Sequence, residues 1–305
     1  MPTATEYSNC FLLLNPRAGG GRGRRSHKRW LSALKSGLPG LRWAYTAGPG
    51  HETESQVINL LVTEPEVTVL IGAGGDGTHH WVVNGMRGHF HRVSYAPLPL
   101  GSGNDWCRGL GVARRPRAWV TRFRQQQRVS HLLGEIVNGA DRRSRLFVNV
   151  AGWAFDPVVA LRAAAARRRY RWMYPYYTIA GLRSFEPPRI RLTYDGTVVE
   201  DEFHTINVGI GRYSGGGMRL VPQADYRGDH FALTFARRLP VARIVAQSWR
   251  FYTGHIGGLA GVTTTHAREL SLDVLTGPAD GEADGEWAGR GRFSVRPGGR
   301  LSVVA

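Results

Sequence analysis

The 305-residue chain has only two cysteines and two lysines, and nowhere a run of about 18 apolar residues. Each shortage excludes a class of protein. Cys10 and Cys107 are too few for a four-ligand zinc site or a disulfide framework, which suits a reducing interior. Without a long apolar run, no membrane-spanning helix is expected. The N-terminal MPTATEYSNCFLLLNP also lacks the basic start and the apolar length of a secretory leader. The expected location is therefore cytoplasmic, peripheral at the inner face of the membrane. Acidic residues are scarce as well. Asp plus Glu number 23 against 40 Lys plus Arg, a net charge of +17, and Lys28 and Lys35 are the only lysines. An Arg-rich surface of that sign suits anionic partners such as nucleotides, nucleic acid or anionic lipid headgroups. No RNA- or DNA-binding module is legible, so nucleic acid is not expected.

An apolar content of 42% over this length supports real cores and favours two domains. The first third alternates short apolar strands, Cys10 to Leu14, Leu41 to Tyr45, Val67 to Ile71 and Val93 to Leu98, with helical patterns at His27 to Leu38, Glu52 to Val62 and Thr78 to Met86. That β-α-β series predicts a parallel sheet covered by helices. After about residue 130, alternating segments and an Asp195-Gly196 hairpin turn predict a mostly antiparallel β domain, with helical insertions at Val158 to Arg169 and Val241 to Tyr252. The expected division is 1–130 and 131–294, with 295–305 returning as a strand to the first domain.

Three glycine turns follow successive strands. In VTVLIGAGGDGTHHWVVNG, Gly72, Gly74, Gly75 and Gly77 run into Thr78, placed to cap a helix, a combination that can hold phosphate. The segment also matches G-x-G-x-x-G, yet the acidic residue that would bind a ribose about 20 positions on is absent, and a dinucleotide site loses ground. Asp76 within the turn would repel phosphate unless a cation intervenes or it takes a proton from a nucleophile. Mg²⁺ resolves that conflict, whereas the plainer alternative is an Asx turn that shapes the loop. The second turn is Pro99-Leu-Gly101-Ser102-Gly103-Asn104-Asp105, and the third is Asn15-Pro16-Arg17-Ala-Gly19-Gly-Gly21, with Arg22, Arg24 and Arg25 nearby. A P-loop lysine motif is missing. Turns after neighbouring parallel strands converge at the sheet's carboxyl edge, where open α/β folds bind ligands.

Together, Asn15 to Gly19, Gly74-Gly-Asp-Gly-Thr78 with Val83-Asn84-Gly85, and Pro99 to Asp105 resemble the catalytic-domain motifs of the diacylglycerol kinase family of lipid kinases, which also includes sphingosine and ceramide kinases. Thr46 to His51 resembles a further nucleotide-side motif, Asn149 to Asp156 an interdomain segment, Gly211 to Met218 with Pro222 and Asp225 a second-domain loop, and Ala283-Asp284-Gly285-Glu286 the C-terminal acidic motif. The chain departs from the family at Trp81, where a Glu is usual, at Pro157, and at Asp229-His230, where Asp-Gly is usual and a second, structural metal site is put in doubt.

The resemblance implies a Rossmann-like α/β domain of the NAD kinase and diacylglycerol kinase type, a C-terminal antiparallel β-sandwich, and an active site in the cleft between them, which Asp284 would have to reach. It implies ATP held by Asn15, Pro16, Gly19, Thr46, Gly74, Gly75, Gly77, Thr78, Gly101, Ser102, Gly103, Asn104 and Asp105. Asp76, Asp284 and Glu286 are the catalytic candidates, and Asp76 and Glu286 those for Mg²⁺, the latter through water. Whether Asp76 or Asp284 is the base stays open, and Asp280 to Glu282 are expected in solvent. The implied activity is phosphorylation of a lipid hydroxyl, most simply diacylglycerol to phosphatidic acid. Alternatives are a sphingoid-base, ceramide or NAD kinase, or a regulatory lipid- or nucleotide-binding protein; a homodimer is left open.

Two other features carry weaker signals. His79, His80, His89 and His91 have no carboxylate or Cys to complete a metal site and are expected to pack or face solvent. The run Arg167-Arg168-Arg169-Tyr-Arg-Trp combines cations with interfacial aromatics and would seat the chain on anionic membrane, or else feed a buried aromatic cluster.

Overall fold

The computed structural model describes residues 7–21, 23–158 and 181–305. The chain divides into two compact units, 1–131 with 300–305, and 132–299. In the first unit, β1 (Cys10–Leu14), β2 (Arg42–Tyr45), β3 (Val69–Gly74) and β4 (Ser94–Pro99) pair in parallel in the order β2-β1-β3-β4. Every residue of β1, β3 and β4 is buried. Strands covered on both faces need unbroken apolar runs, and these sequences supply them. The end of the last strand, β15 (Phe293–Val304), runs parallel to β4, with Val303 opposite Tyr95.

The helices that cover this sheet are α1 (Gly23–Gly37), α2 (His51–Thr63), α3 (Asp76–Gly85), α4 (Asp105–Gly109) and α5 (Pro116–Arg124). Trp30 and Leu34 of α1, and Leu38 just past its end, are buried in the core. Trp30 meets Trp119 of α5 edge-on at 6.4 Å, and Trp119 stacks on Phe123 at 5.0 Å while its indole N–H donates to the Pro97 carbonyl at 3.0 Å. The helices α4 and α5, of five and nine residues, are too short to show as periodic patterns in the sequence. Gly85, the last residue of the Val-Asn-Gly triplet, lets α3 cross α2 closely: a Cβ there would lie 2.7 Å from the Glu54 carbonyl oxygen and from Val57.

The second unit contains most of β5 (Arg128–Asn138), then β6 (Ser144–Phe147), β7 (Val150–Ala154), β8 (Arg189–Tyr194), β9 (Thr197–Gly209), β10 (Phe231–Arg237), β11 (Val262–Ala267), β12 (Leu270–Thr276), β13 (Asp280–Ala283) and β14 (Glu286–Arg290). The β5–β6, β7–β9, β8–β9, β8–β12, β9–β10, β10–β11, β7–β13 and β13–β14 pairs are antiparallel. Asp195 and Gly196, both at positive φ, turn the β8–β9 hairpin where the sequence put it. Through 197–202 β9 pairs with β8, and through 203–209 with β7 and β10, so one long strand feeds two sheets. Phe147, Trp153, Phe203, Phe231, Phe235 and Phe293 fill the core between them. The helix expected over Val241 to Tyr252 is broken at Gln247–Ser248 into α6 (Val241–Ala246) and α7 (Trp249–Thr253). The one expected over Val158 to Arg169 lies, beyond its first residue, outside the described residues.

Trp119→Ala removes two ring contacts and a buried hydrogen bond together, and is expected to destabilise the first unit by about 3–5 kcal/mol, measured by urea denaturation. A loss below about 1 kcal/mol would mean that α5 is not anchored through this ring.

Candidate functional site

All four parallel strands of the first unit deliver a turn to the same sheet edge. Asn15, one residue past β1, donates its side-chain amide to Thr78 Oγ1 at 2.8 Å, and its Oδ1 accepts from the Arg17 amide at 2.9 Å. The Asn15 amide donates to the Ala73 carbonyl and the Thr46 amide to the Leu14 carbonyl, so the turns after β1 and β2 continue the register of the sheet. After β4, the Leu100 and Gly101 amides both bond the Gly74 carbonyl, at 2.7 and 2.9 Å. Gly75 then lies against Gly101 backbone to backbone: a Cβ on Gly101 would stand 2.4 Å from the Gly75 Cα, and one on Gly75 3.1 Å from the Gly101 Cα. A Cβ on Gly19 would reach within 2.9 Å of the Leu100 carbonyl oxygen. Asn104, at φ 53°, closes its own loop by exchanging two 2.8 Å hydrogen bonds with Gly101. Asn tolerates this left-handed conformation better than most residues.

One expectation about these turns needs correction. Thr78 is not the cap of α3. The helix starts at Asp76 with Gly75 as its N-cap, and Thr78 lies within the first turn, where its hydroxyl ties the helix to Asn15. Gly75 itself has φ −101°, so glycine is required there by the approach of Gly101 and not by backbone conformation. Asp76 opens α3, at the positive end of the helix dipole, and its Oδ1 accepts from the Trp106 amide at 3.2 Å. A Cβ on Gly103 would lie 3.0 Å from Asp76 Oδ2 and 3.6 Å from Asp105 Oδ2, so both carboxylates border one glycine. Asp105 is buried and paired with Arg108 at 3.0 Å. Pro16 and Ser102 are exposed at the same edge.

Behind the turns runs a chain of buried polar side chains that no local sequence pattern links. His79 Nδ1 is 2.7 Å from the Tyr95 hydroxyl, Cys107 Sγ is 3.6 Å from His79 Nε2, Tyr95 stacks on Trp106 at 5.7 Å, and the Trp106 indole N–H donates to His131 Nε2 at 2.9 Å. Burial pushes His79 down to about 3 and holds the Tyr95 and Cys107 protons on, so the imidazole stays neutral. Trp106 carries the amide that holds Asp76, which places this network directly beneath the turn. The only sequence signal was polar residues interrupting apolar runs. His79 and His80 are fully buried, which matches the packing alternative.

In the second unit Asp284 occupies the β13–β14 turn at φ 55°, followed by Gly285 at φ 87°. Its carboxylate receives two backbone amides, Asn149 at 2.8 Å on Oδ1 and Val148 at 3.0 Å on Oδ2, and its own amide donates to the Val150 carbonyl at 2.8 Å. The carboxylate is thus fixed in orientation by the β6–β7 junction. Glu286, two residues on, is partly exposed at the start of β14. Asn149 donates its side-chain amide to the Tyr213 carbonyl at 2.7 Å and accepts at its main-chain carbonyl from Ile210 and Gly211, which ties the interdomain segment to the Gly211 loop. Asp229, at the Asp-His departure, is held by Arg268 at 2.7 Å.

The neighbouring Asp280 to Glu282 stretch differs from the expectation that it lies in solvent. Asp280 is mostly covered and pairs with Arg290 at 2.9 Å, while Glu282 is buried and accepts from the Gly285 amide. The cause is strand alternation: β13 pairs with β7, Glu282 lies opposite Gly152, and Gly152 lies opposite Asn207 of β9. A Cβ on Gly152 would meet Glu282, Asp156 and Asn207 together. Burial, then the Asp156 charge, raises Glu282 well above the usual carboxylate range. Burial likewise raises Asp156 to about 6, against hydrogen bonds from Thr205 and Asn207.

A glycine-lined edge on a parallel α/β sheet, with a carboxylate at a helix start, and a β unit presenting a clamped Asp-Gly-Glu turn define a two-unit phosphotransferase architecture. The chain belongs to the diacylglycerol kinase family of lipid kinases. Residues 9–136 match the family described as diacylglycerol kinase catalytic domain, and 149–305 match the YegS C-terminal NAD kinase beta sandwich-like domain. It is 32% identical over 238 residues to a Pseudomonas aeruginosa protein named "Probable lipid kinase YegS-like", covering 75% of this chain and 74% of that one. It is 26% identical over 292 residues to a diacylglycerol kinase of Staphylococcus saprophyticus, covering 92% and 89%. A crystal structure of a diacylglycerol kinase from Bacillus anthracis superposes with a TM-score of 0.72 at 20% identity, covering 97% of this chain and 96% of that one, a likeness of fold.

The buried carboxyls generate a pH prediction. A carboxyl with a folded pKa above its unfolded value contributes stability that is complete below the unfolded pKa and lost as pH rises through the folded one. For Asp156 that window runs from 3.8 to about 6. Asp156→Asn and Glu282→Gln, which mimic the protonated forms, should raise Tm over the parent at pH 8 and lose that advantage at pH 4. An advantage independent of pH would refute the buried-carboxyl assignment.

Proposed function

We propose that this chain transfers the γ-phosphate of ATP to the free hydroxyl of diacylglycerol, giving phosphatidic acid and ADP, at an anionic membrane surface. One observation carries the reading: Gly75 and Gly101 meet backbone to backbone at the strand ends, immediately before Asp76 opens α3. Bare backbone beside a positive helix end suits phosphoryl oxygens. The lipid acceptor follows from the family, and diacylglycerol in particular from the names its relatives carry.

In the reaction the acceptor oxygen forms a bond to the γ-phosphorus, the bond from that phosphorus to the β–γ bridging oxygen breaks, and the hydroxyl proton passes to a carboxylate. Asp284 is the proposed base, since two backbone amides orient its carboxylate and a carboxylate held in a turn can take the proton of a hydroxyl. Asp76 fits Mg²⁺, which commonly takes one or two protein carboxylates, several waters and the substrate's own phosphates. Glu286 would add a water-mediated contact. When bound, Mg²⁺ neutralises charge on the transferring phosphates. Asn15 and Thr78 hold the first and third turns in register, and Asn104 fixes the Gly101 loop around the phosphates.

Incubation with labelled ATP, Mg²⁺ and a total lipid extract, followed by mass spectrometry, should give labelled phosphatidic acid. A different labelled lipid would replace the acceptor, and no labelled lipid would favour a regulatory binding protein. Asp76→Ala should abolish turnover in a folded chain. Asp284→Asn should lower kcat by about 10² or more with ATP affinity nearly intact. Asp280→Asn, which alters the pair with Arg290 and the hydrogen bond from the Trp287 indole, should be almost silent in turnover. Gly75→Val should block nucleotide binding, measured by calorimetry, because its side chain would enter the Gly101 backbone.

A further inference from the structure

We propose that the outer face of the α6–α7 segment, residues 241–253, is the surface on which this chain rests against an anionic bilayer. The segment VARIVAQSWRFYT turns large apolar side chains to solvent. Val245, Trp249 and Tyr252 are 40%, 56% and 59% exposed, while no residue of either helix is buried. Within the same segment, Gln247 Oε1 and Arg250 Nε are shielded from solvent without a hydrogen-bond partner. A helix packed on a water-soluble domain normally does the opposite, and each buried unpaired polar atom carries a desolvation cost. Bonds from Gln247 to Arg243 and from Arg250 to Gln247 carry the helical turn through the break. The spacing of 245, 249 and 252 therefore puts the three side chains on one side. Three of the nine large hydrophobics exposed among the described residues thus fall within eight positions.

Charge decides what covers this face. No Asp or Glu occurs from Phe231 to Arg268, a stretch that holds Arg237, Arg238, Arg243, Arg250 and Arg268. Arg237, Arg238 and Arg268 are spent on Asp201, Glu202 and Asp229. Arg243 and Arg250 have no carboxylate partner among the described residues. Arg250 lies 5.2 Å over the Trp249 ring, and Arg219, whose amide donates to the Phe251 carbonyl at 2.5 Å, adds a third cation beside the segment. A second copy of the same face would bring like charges together, whereas acidic headgroups meet the arginines as the aromatics enter the headgroup layer. Trp and Tyr rings with adjacent Arg are the side chains suited to that depth. No helix among the described residues is long and apolar enough to cross a membrane, so the contact is interfacial. The lipid-kinase reading supplies the reason for reaching a bilayer, and the proposal rests on it for that alone.

The test uses the full chain and sedimentation with phosphatidylcholine vesicles containing or lacking phosphatidylglycerol. Binding should require the anionic lipid and weaken as salt rises. Trp249→Ser combined with Tyr252→Ser should reduce it by about tenfold or more, and Arg243→Glu, an exposed change, by a similar factor, with Tm unchanged. Parent-like binding by both variants overturns the proposal. So does loss of binding confined to a chain carrying Arg167→Glu, Arg168→Glu and Arg169→Glu, which would return the membrane contact to the basic-aromatic run. A dimer in light scattering that the Trp249→Ser, Tyr252→Ser variant abolishes would make the face a self-interface instead. Turnover with a short-chain, water-soluble diacylglycerol separates the two readings: its absence beside intact vesicle binding sinks the kinase assignment only, and its presence beside absent vesicle binding sinks this surface only.

Discussion

The contact of Gly75 with Gly101 is the constraint on which the functional edge of the first unit depends. Two strand-end turns can share that edge only if neither has a side chain at the crossing. Once they do, the remaining geometry follows: the Gly74 carbonyl takes both the Leu100 and Gly101 amides, α3 starts at Asp76, and the Trp106 amide reaches the Asp76 carboxylate. The glycines are thus steric requirements of a packed edge, and backbone left uncovered by side chains is what an anionic ligand can approach most closely.

Beneath that edge the unit carries an aromatic and polar chain, from His79 through Tyr95 and Trp106 to His131, in place of plain aliphatic packing. Every member is buried, and hydrogen bonds that replace water in a low-dielectric interior specify one arrangement more sharply than apolar contacts do. Such a network makes the position of Asp76 a property of the whole helical layer. In the second unit the Asp284 turn is fixed differently, by two amides of the β6–β7 junction. Both carboxylates proposed for the chemistry are therefore oriented by backbone donors, which bind them at little cost in side-chain entropy.

Strong local signals were legible from the chain alone. Uninterrupted apolar runs at β1, β3 and β4 announced buried parallel strands because both faces of such strands are covered. Asp195-Gly196 announced a hairpin because its backbone needs positive φ. The short helices α4 and α5 did not register, since five and nine residues give too little periodicity to separate from loop. Thr78 fits a cap by composition, but the chain starts the helix two residues earlier, where Gly75 fits under Gly101.

The sequence by itself determined the order of elements, the glycine turns after successive strands and the Asp-Gly-Glu turn, because backbone conformation and hydrophobic period are written in local residue types. Only the tertiary structure decided which polar side chains are buried together. Glu282, expected in solvent, lies instead beside Asp156, 126 positions away in sequence, because the pairing of β13, β7 and β9 puts both next to Gly152. Val245, Trp249 and Tyr252 lie in the helical pattern expected over Val241 to Tyr252, and all three are exposed. Periodicity marks which residues share a side, but which side meets the core depends on chain segments far away in sequence, and no local pattern encodes it.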